Sequence, residues 1–523
     1  MKNLPVGTQA FDKLRKAGAV YVDKTEHVYN LINNGSVYFL SRPRRFGKSL
    51  LVSTFKELFK ANKELFKNLY IYDKWDWSKQ YPVIHLDFAE LAYDTPERLE
   101  NSLSDFIIRT AIEYSIELIS SEIETRFSEL IEKLHNSTGQ QVVVLIDEYD
   151  KPMMDSLNKE KEVHQAIKEI LHNFYQVVKA GDAHIKFMFM TGVSRFIGLS
   201  VFSALNNLYD ITMDAEFSSI CGYTQEELES NFKGHIEATA ESMKISKEEL
   251  LSKIKYWYNG YSWNSKISVY NPFSTLAFFR NKEFIGYWYK TGTPIFLIEQ
   301  IKKKNDIDKL TCKVSVSSQL LEGNSSDYGN IESVTLLFQT GYLTVKKKEI
   351  GKRGPIYTMD FPNFEVRDAF LTSLLGTYTQ KNEEKVLELG DMIYEDIENK
   401  NGERLGRNLE ELFSNIPYDL HTKRESYYHS LFLLASRMSG CEVEAEVHTD
   451  KGRIDAVLRH DNSITIVEIK YAKQVDQIKG KMEEGLNQIK DTKYYEKYTN
   501  ANVSLLVVVF CENKDVSCKF ENI

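Results

Sequence analysis

VYFLSRPRRFGKS, from Val37 to Ser49, sets the fold of the first half of the chain. A short apolar run leads into a turn with Pro43, and Gly47-Lys48-Ser49 then opens a helical pattern. That order predicts a buried strand, a loop and a helix whose first N–H groups face an anion. Gly47 lets the backbone approach a phosphate. Lys48 is placed to reach the β- and γ-phosphates of ATP, and the Ser49 hydroxyl to bind Mg²⁺. Arg45 and Phe46 are assigned to the same nucleotide-binding loop. The usual P-loop carries a glycine five residues before Gly47, where this chain has Arg42, so the GKS by itself is a weak signal.

A second stretch strengthens it. QVVVLIDEYD, Gln141 to Asp150, is long and apolar enough for a buried parallel strand and ends in acids. Expected beside the P-loop strand, it brings Asp147 to the Mg²⁺ shell and Glu148 to the attacking water. Alone, it would read more readily as a core strand capped by solvated acids. IKFMFMT, Ile185 to Thr191, predicts a further strand. Thr191 at its end is a candidate γ-phosphate sensor and Arg195 a candidate phosphate-facing charge, although a helix cap and a surface ion pair explain these two residues more simply. Residues from Leu4 to Asn34 form a lead-in that can pack beside the nucleotide base. Strands alternating with helices indicate an α/β fold with a P-loop parallel sheet.

Composition narrows the classes. The chain has 523 residues, 42% hydrophobic, enough for three or four domains at roughly 150 residues each. A net charge of −9 excludes a generic polyanion binder and confines nucleic-acid contact to local basic patches. Cys221, Cys312, Cys441, Cys511 and Cys518 show no paired metal spacing and suit a reducing compartment. No signal core and no bilayer-length apolar run are present, so a soluble cytoplasmic protein without a membrane partner is expected.

Farther along, Cys221 to Leu228 reads as a turn and a helix start, with Thr224 as N-cap and Glu227 three residues on. The aromatic groups Trp257 to Trp263 and Val269 to Phe273 read as packing corners more than as base-stacking platforms. From Glu332 to Asp360 the pattern is helix, strand, hairpin and strand, the outline of a winged helix, with Lys346, Lys347, Lys348, Lys352 and Arg353 near its tip. A solvated hairpin and a nucleic-acid contact weigh equally there. The expected division is 1–217, an AAA-like ATPase domain; 218–330, a helical lid; 331–380, a winged-helix-like segment; and 381–523, an α/β nuclease-like domain.

That last assignment rests on GRIDAVL, His460-Asp461-Asn462 and SITIVEIK, which predict a β-hairpin. Side chains alternate along a strand, so Glu468 and Lys470 share a face. With Asp455 on the adjoining strand, two carboxylates and an ammonium converge. Such a group can hold Mg²⁺ through Asp455, Glu468 and the Ile469 carbonyl while Lys470 orients water for phosphodiester hydrolysis. A hairpin with a charged solvent face is the simpler alternative. The preceding helix can carry Glu425 toward the same metal, and the order helix, three strands, helix, strand matches a metal-dependent nuclease.

YVDKT, SRPRRFGKS, VVVLIDEYD, TGVSRF, CGYTQEEL, WYNGYSW, YNPFS, the TGTP from Thr291 to Pro294, RIDAVL, IVEIK and GLNQIKDTKYY together cover nearly the whole chain. As a set they resemble a widespread prokaryotic family that joins an AAA-ATPase-like domain to a C-terminal PD-(D/E)XK nuclease-superfamily domain. In that family an arginine at the position of Arg42 is the normal form, and Ile454 in place of a proline before Asp455 is tolerated. The resemblance implies an ATPase coupled to a nuclease fold, with Asp455, Glu468 and Lys470 catalytic and Gln488 as a helper. The expected cofactors are ATP and Mg²⁺, or Mn²⁺. Nucleic acid, DNA before RNA, is the expected partner, and a homo-oligomer is compatible with ATPases of this class. The competing expectation is a signalling or regulatory ATPase whose nuclease fold only binds nucleic acid or a protein.

Overall fold

Apolar runs separated by amphipathic helices produce a five-stranded parallel sheet in the first part of the chain. Its strands are β1 (Val37–Ser41), β2 (Val83–Asp87), β3 (Val142–Asp147), β4 (Ile185–Gly192) and β5 (Tyr209–Asp210), in the order β2-β3-β4-β1-β5. The computed structural model describes residues 1–157, 159–195, 207–289, 295–304, 306–321, 332–416, 425–449, 452–460, 463–498 and 502–523. The acid-ended strand β3, expected beside β1, does not pair with it. β4 lies between them, with Leu40 opposite Thr191 and Ile146 opposite Met190. Both β3 and β4 are apolar enough for a central place, and only the packing of their crossover helices decides which is inner.

The helix Lys48–Phe59 buries Leu51, Val52, Phe55, Leu58 and Phe59, a stripe at three- and four-residue spacing that holds it on the sheet. Helices Pro96–Glu113, Ile123–Thr138 and Lys161–Ala180 cover the sheet around a core that includes Ile84, Leu103, Leu130, Val144 and Leu171. A second core joins Val20 and Val22 of the lead-in to Leu228, Phe232, Ile254, Tyr258 and Phe278. Thr224 forms the anticipated capping box with Glu227.

The winged outline is formed by the helix Ser333–Thr340 and the antiparallel pair β7 (Thr344–Gly351) and β8 (Gly354–Asp360), with β6 (Val314–Ser317) along β8. Three of its five basic side chains are engaged locally. Lys346 donates to the Pro362 carbonyl at 2.9 Å, Lys347 pairs with Glu349 at 2.8 Å, and Lys348 lies 5.6 Å from the Tyr357 ring centre. Lys352 and Arg353 remain exposed at the turn.

The chain divides into two compact units, 1–291 with 316–364, and 292–315 with 365–523. The second unit therefore starts before position 381. The helix Phe364–Thr379 buries Val366, Phe370, Leu371, Leu374 and Leu375, and a helix apolar on several sides needs a core around it. The next helix, Glu383–Glu398, buries Val386, Leu389, Ile393 and Ile397.

In the second unit, β9 (Glu442–Thr449), β10 (Gly452–His460), β11 (Ser463–Ala472), β12 (Asn502–Cys511) and β13 (Val516–Asn522) form a sheet in the order β13-β12-β11-β10-β9. Only β11 and β12 are parallel, and the helix Ile478–Thr492 makes the crossover between them. Among the described residues, no helix is long and apolar enough to cross a membrane.

Candidate active sites

Gly47 has φ of 91°, a conformation that disfavours a side chain, and immediately precedes the helix Lys48–Phe59. No side chain caps that helix, so its first N–H groups stay available to an anion. Lys48 is 6% exposed, and its ammonium donates to the Arg42 and Pro43 carbonyls at 3.0 and 3.1 Å. These bonds curl the loop around the lysine.

Behind the loop, Asp147 at the end of β3 is buried. Burial pushes the Asp147 carboxyl above its usual range, while Ser49 and Lys48 oppose the shift. Burial likewise lowers the Lys48 ammonium, with Asp147, Asp150 and Glu148 acting against it. Ser49 and Asp147 are hard oxygen donors and fit Mg²⁺. Glu148 follows at φ of 50°, rare for a residue with a side chain, and its N–H donates to Asp147 Oδ1 at 3.0 Å.

Two further acids in this region escaped the sequence reading. Asp87 ends β2 directly opposite Asp147, and burial pushes its carboxyl up to about 6, with Asp147 and Glu148 adding to the rise. Asp150 is buried and accepts from Ser194 N–H at 2.7 Å and Ser194 Oγ at 2.6 Å, which pins the segment after β4. Gly192 permits that approach, because an added Cβ would lie 2.5 Å from Asp150 Oδ1.

Arg42 does not face the phosphate cradle. Its fully buried guanidinium donates to the Ser41, Thr212 and Phe217 carbonyls at 2.8, 2.9 and 3.2 Å and lies 3.8 Å from the Trp263 ring centre. Phe46 packs edge-on to Tyr261 and Trp263, with ring centres 4.7 and 5.7 Å apart. The WYNGYSW aromatics are thus packing corners: Tyr261 and Trp263 pack on the P-loop, and Trp257 and Tyr258 on Phe284. Arg42→Gly, which restores the usual P-loop residue, is expected to destabilise this unit by about 3 kcal/mol, since three buried carbonyls lose a charged donor. Urea unfolding against wild type checks it.

A cavity of about 360 Å³ opens over the loop, bordered by Arg44, Arg45, Gly47, Lys48, Ser49 and Glu148. Its far wall holds Gln9, Tyr21 and Val22 from the lead-in, with Cys221, Gly222, Tyr223 and Phe273 from the helical region. The lead-in was expected there; the CGYT and YNPF contributions were missed because a turn motif does not announce which cavity it borders. Lys24 is tied across the wall to Glu227 at 2.6 Å.

Two candidate residues lie elsewhere. Arg195 does not face the phosphate loop: it borders a second cavity, and its Nε lies 3.0 Å from Asp210 Oδ2, the ion pair that was its simpler reading. Thr191 is fully buried in β4 and does not border the larger cavity; its carbonyl accepts from Tyr149 N–H at 3.1 Å.

In the second unit, alternation along β11 puts Glu468 and Lys470 on the face that buries Ile464, Ile466 and Ala472 beneath the helix Ile478–Thr492. Glu468 is 1% exposed and Lys470 8%. Lys470 Nζ donates to Glu468 Oε1 at 2.8 Å and to Gln488 Oε1 at 2.7 Å. Asp455 Oδ2 accepts from the Ile469 N–H at 2.8 Å, so its carboxylate lies beside the same stretch of β11. His429, which the sequence reading did not single out, has Nε2 3.3 Å from the Asp455 carbonyl.

Asp455, Glu468, Lys470 and Gln488 are therefore brought together. Among the described residues, no three His, Cys, Asp or Glu side chains converge as a metal cluster. Two carboxylates still fit Mg²⁺, which keeps several waters when protein-bound. The Ile469 contact seen here involves its N–H, and the Glu425 side chain falls outside the described residues.

Comparison with known proteins agrees with this layout. Residues 5–202 match the family described as predicted AAA-ATPase, and residues 423–520 match the PD-(D/E)XK nuclease superfamily. A protein of Azotobacter chroococcum mcd 1, described as an uncharacterized protein in the vnfD 5′ region, is 35% identical over 503 residues, spanning 95% of this chain and 94% of its own. The chain belongs to the family in which a predicted AAA-ATPase region and a PD-(D/E)XK nuclease-superfamily region share one polypeptide.

Proposed function

We propose that the first unit binds and hydrolyses ATP and that this controls phosphodiester cleavage, in DNA, by the second. The observation that carries the reading is the Glu468–Lys470–Gln488 chain of hydrogen bonds beside Asp455, on the same polypeptide as a loop whose buried Lys48 is held by the Arg42 and Pro43 carbonyls. At the cradle, Lys48 and the N–H groups of its helix hold the phosphates, and Glu148 takes the proton of the attacking water. Ser49 and Asp147 would hold Mg²⁺.

In the second unit Asp455 and Glu468 would hold a divalent cation, with Glu425 and the Ile469 carbonyl as further ligands. Such an ion supplies Lewis-acid stabilisation of the phosphate when bound. Lys470, fixed by Glu468 and Gln488, orients the water whose oxygen bonds to phosphorus as the ester P–O bond breaks.

The test incubates the full chain with linear, circular and single-stranded DNA, with Mg²⁺ or Mn²⁺, with and without ATP. Cleavage that requires the cation and changes with ATP is the expected result. Hydrolysis of ATP without cleavage of any form would instead support a regulatory ATPase whose second unit only binds nucleic acid or a protein.

A further inference from the structure

Arg44 and Arg45 are neighbours in the phosphate loop, and the backbone parts them. Arg45 has φ of 64°, and its guanidinium carbon lies 5.0 Å from the Phe273 ring centre. Arg44 borders the same cavity as Glu148 and Lys151. Its charge acts on the Tyr93 hydroxyl, which also feels Glu148 and donates to Asp155 at 2.7 Å. Arg44 and Glu148, the acid expected to act on the attacking water, thus border one cavity.

Its backbone is held from outside the loop. The Arg44 carbonyl accepts from Trp288 Nε1 at 2.9 Å, and the preceding Pro43 packs against Gly341. The side chain, by contrast, is exposed, and among the described residues no carboxylate pairs with it. Other cations nearby are committed: Lys24 to Glu227, Lys151 toward Asp155 at 3.6 Å, and Arg195 to Asp210.

We propose that Arg44 is a catalytic residue of ATP hydrolysis, a guanidinium supplied by the phosphate loop itself to the γ-phosphoryl group. The inference rests on the ATPase reading. In the step, the water oxygen bonds to the γ-phosphorus and the bond from that phosphorus to the β–γ bridging oxygen breaks. The electron pair stays on ADP, and the water proton goes to Glu148. Arg44 donates to the γ-phosphoryl oxygens as charge spreads over them, which stabilises the transition state more than bound ATP.

The experiment compares wild type, Arg44→Ala and Arg44→Lys as full chains. It reads steady-state hydrolysis, affinity for a fluorescent ATP analogue, and affinity for ADP with aluminium fluoride, a mimic of the transferring phosphoryl group. For Arg44→Ala, kcat should fall on the order of 100-fold or more and the aluminium fluoride complex should weaken in parallel, with ATP-analogue affinity within about threefold. Arg44→Lys should recover only part of the rate, because an ammonium lacks the planar fork. The side chain is exposed, so unchanged thermal unfolding serves as the folding control. A kcat close to wild type overturns the proposal, as does an affinity for ATP that falls by the same factor as kcat. A wild type that binds ATP but never hydrolyses it removes the ATPase reading itself, an outcome the wild-type arm isolates.

Discussion

Lys470→Ala abolishes cleavage if the second unit is a nuclease, with an expected loss on the order of 1000-fold in rate. The ammonium has no local substitute, since it is buried between Glu468 Oε1 and Gln488 Oε1. The same burial complicates the experiment. Removing the cation leaves the Glu468 carboxylate in a nearly closed site without its partner, which costs about 3–5 kcal/mol in comparable pairs. A folding defect would then mimic a catalytic one.

The double variant Glu468→Gln with Lys470→Met separates them, because it keeps the volume and removes both charges. It is expected to melt near wild type and still fail to cut. Gln488→Leu is milder: it releases one of the two acceptors that aim Lys470, and a loss of about 10- to 100-fold is expected for a supporting partner of this kind. Cleavage assays with melting curves on the same preparations decide it. Full activity in the double variant would sink the assignment.

The second large effect is expected at Glu148. Glu148→Gln preserves shape and the backbone N–H bond to Asp147 Oδ1, and both residues meet φ of 50° at similar strain. Only the ability to take a proton is lost. Hydrolysis should therefore drop about 100- to 10,000-fold while ATP stays bound. Lys48→Ala should lose the binding itself, since its ammonium is the charge held over the loop carbonyls.

The pair also reports on coupling between the two chemistries. DNA cleavage that persists in Glu148→Gln with ATP, but becomes insensitive to ATP in Lys48→Ala, means that binding is the signal. If cleavage stops in both, turnover is required. Equal ATP binding by Lys48→Ala and wild type would contradict the phosphate-cradle assignment.

Local sequence determined several features outright. The strand, loop and helix start around Gly47-Lys48-Ser49 and the buried strand VVVLID ending in acid follow the order of residues read there. The Thr224–Glu227 cap and the IVEIK alternation were legible for the same reason: capping and strand pleating are set by residues a few positions apart. The pairing of Glu468 with Lys470 follows directly from the two-residue period.

Tertiary structure decided what depends on distant chain segments. The insertion of β4 between β1 and β3 was hidden because both inner strands are equally apolar. Arg195 was claimed by Asp210 on β5, a partner that no spacing rule reveals. Arg42 looked like a defect in a glycine loop and is instead a buried tie to Thr212, Phe217 and Trp263. The walls of the nucleotide cavity come from residues more than 200 positions apart, such as Gln9 and Tyr223. The physical reason is the range of the forces involved. Propensity, capping and alternation act within a turn or a pleat, whereas burial and charge pairing are satisfied by whichever groups the packed chain brings within a few ångströms.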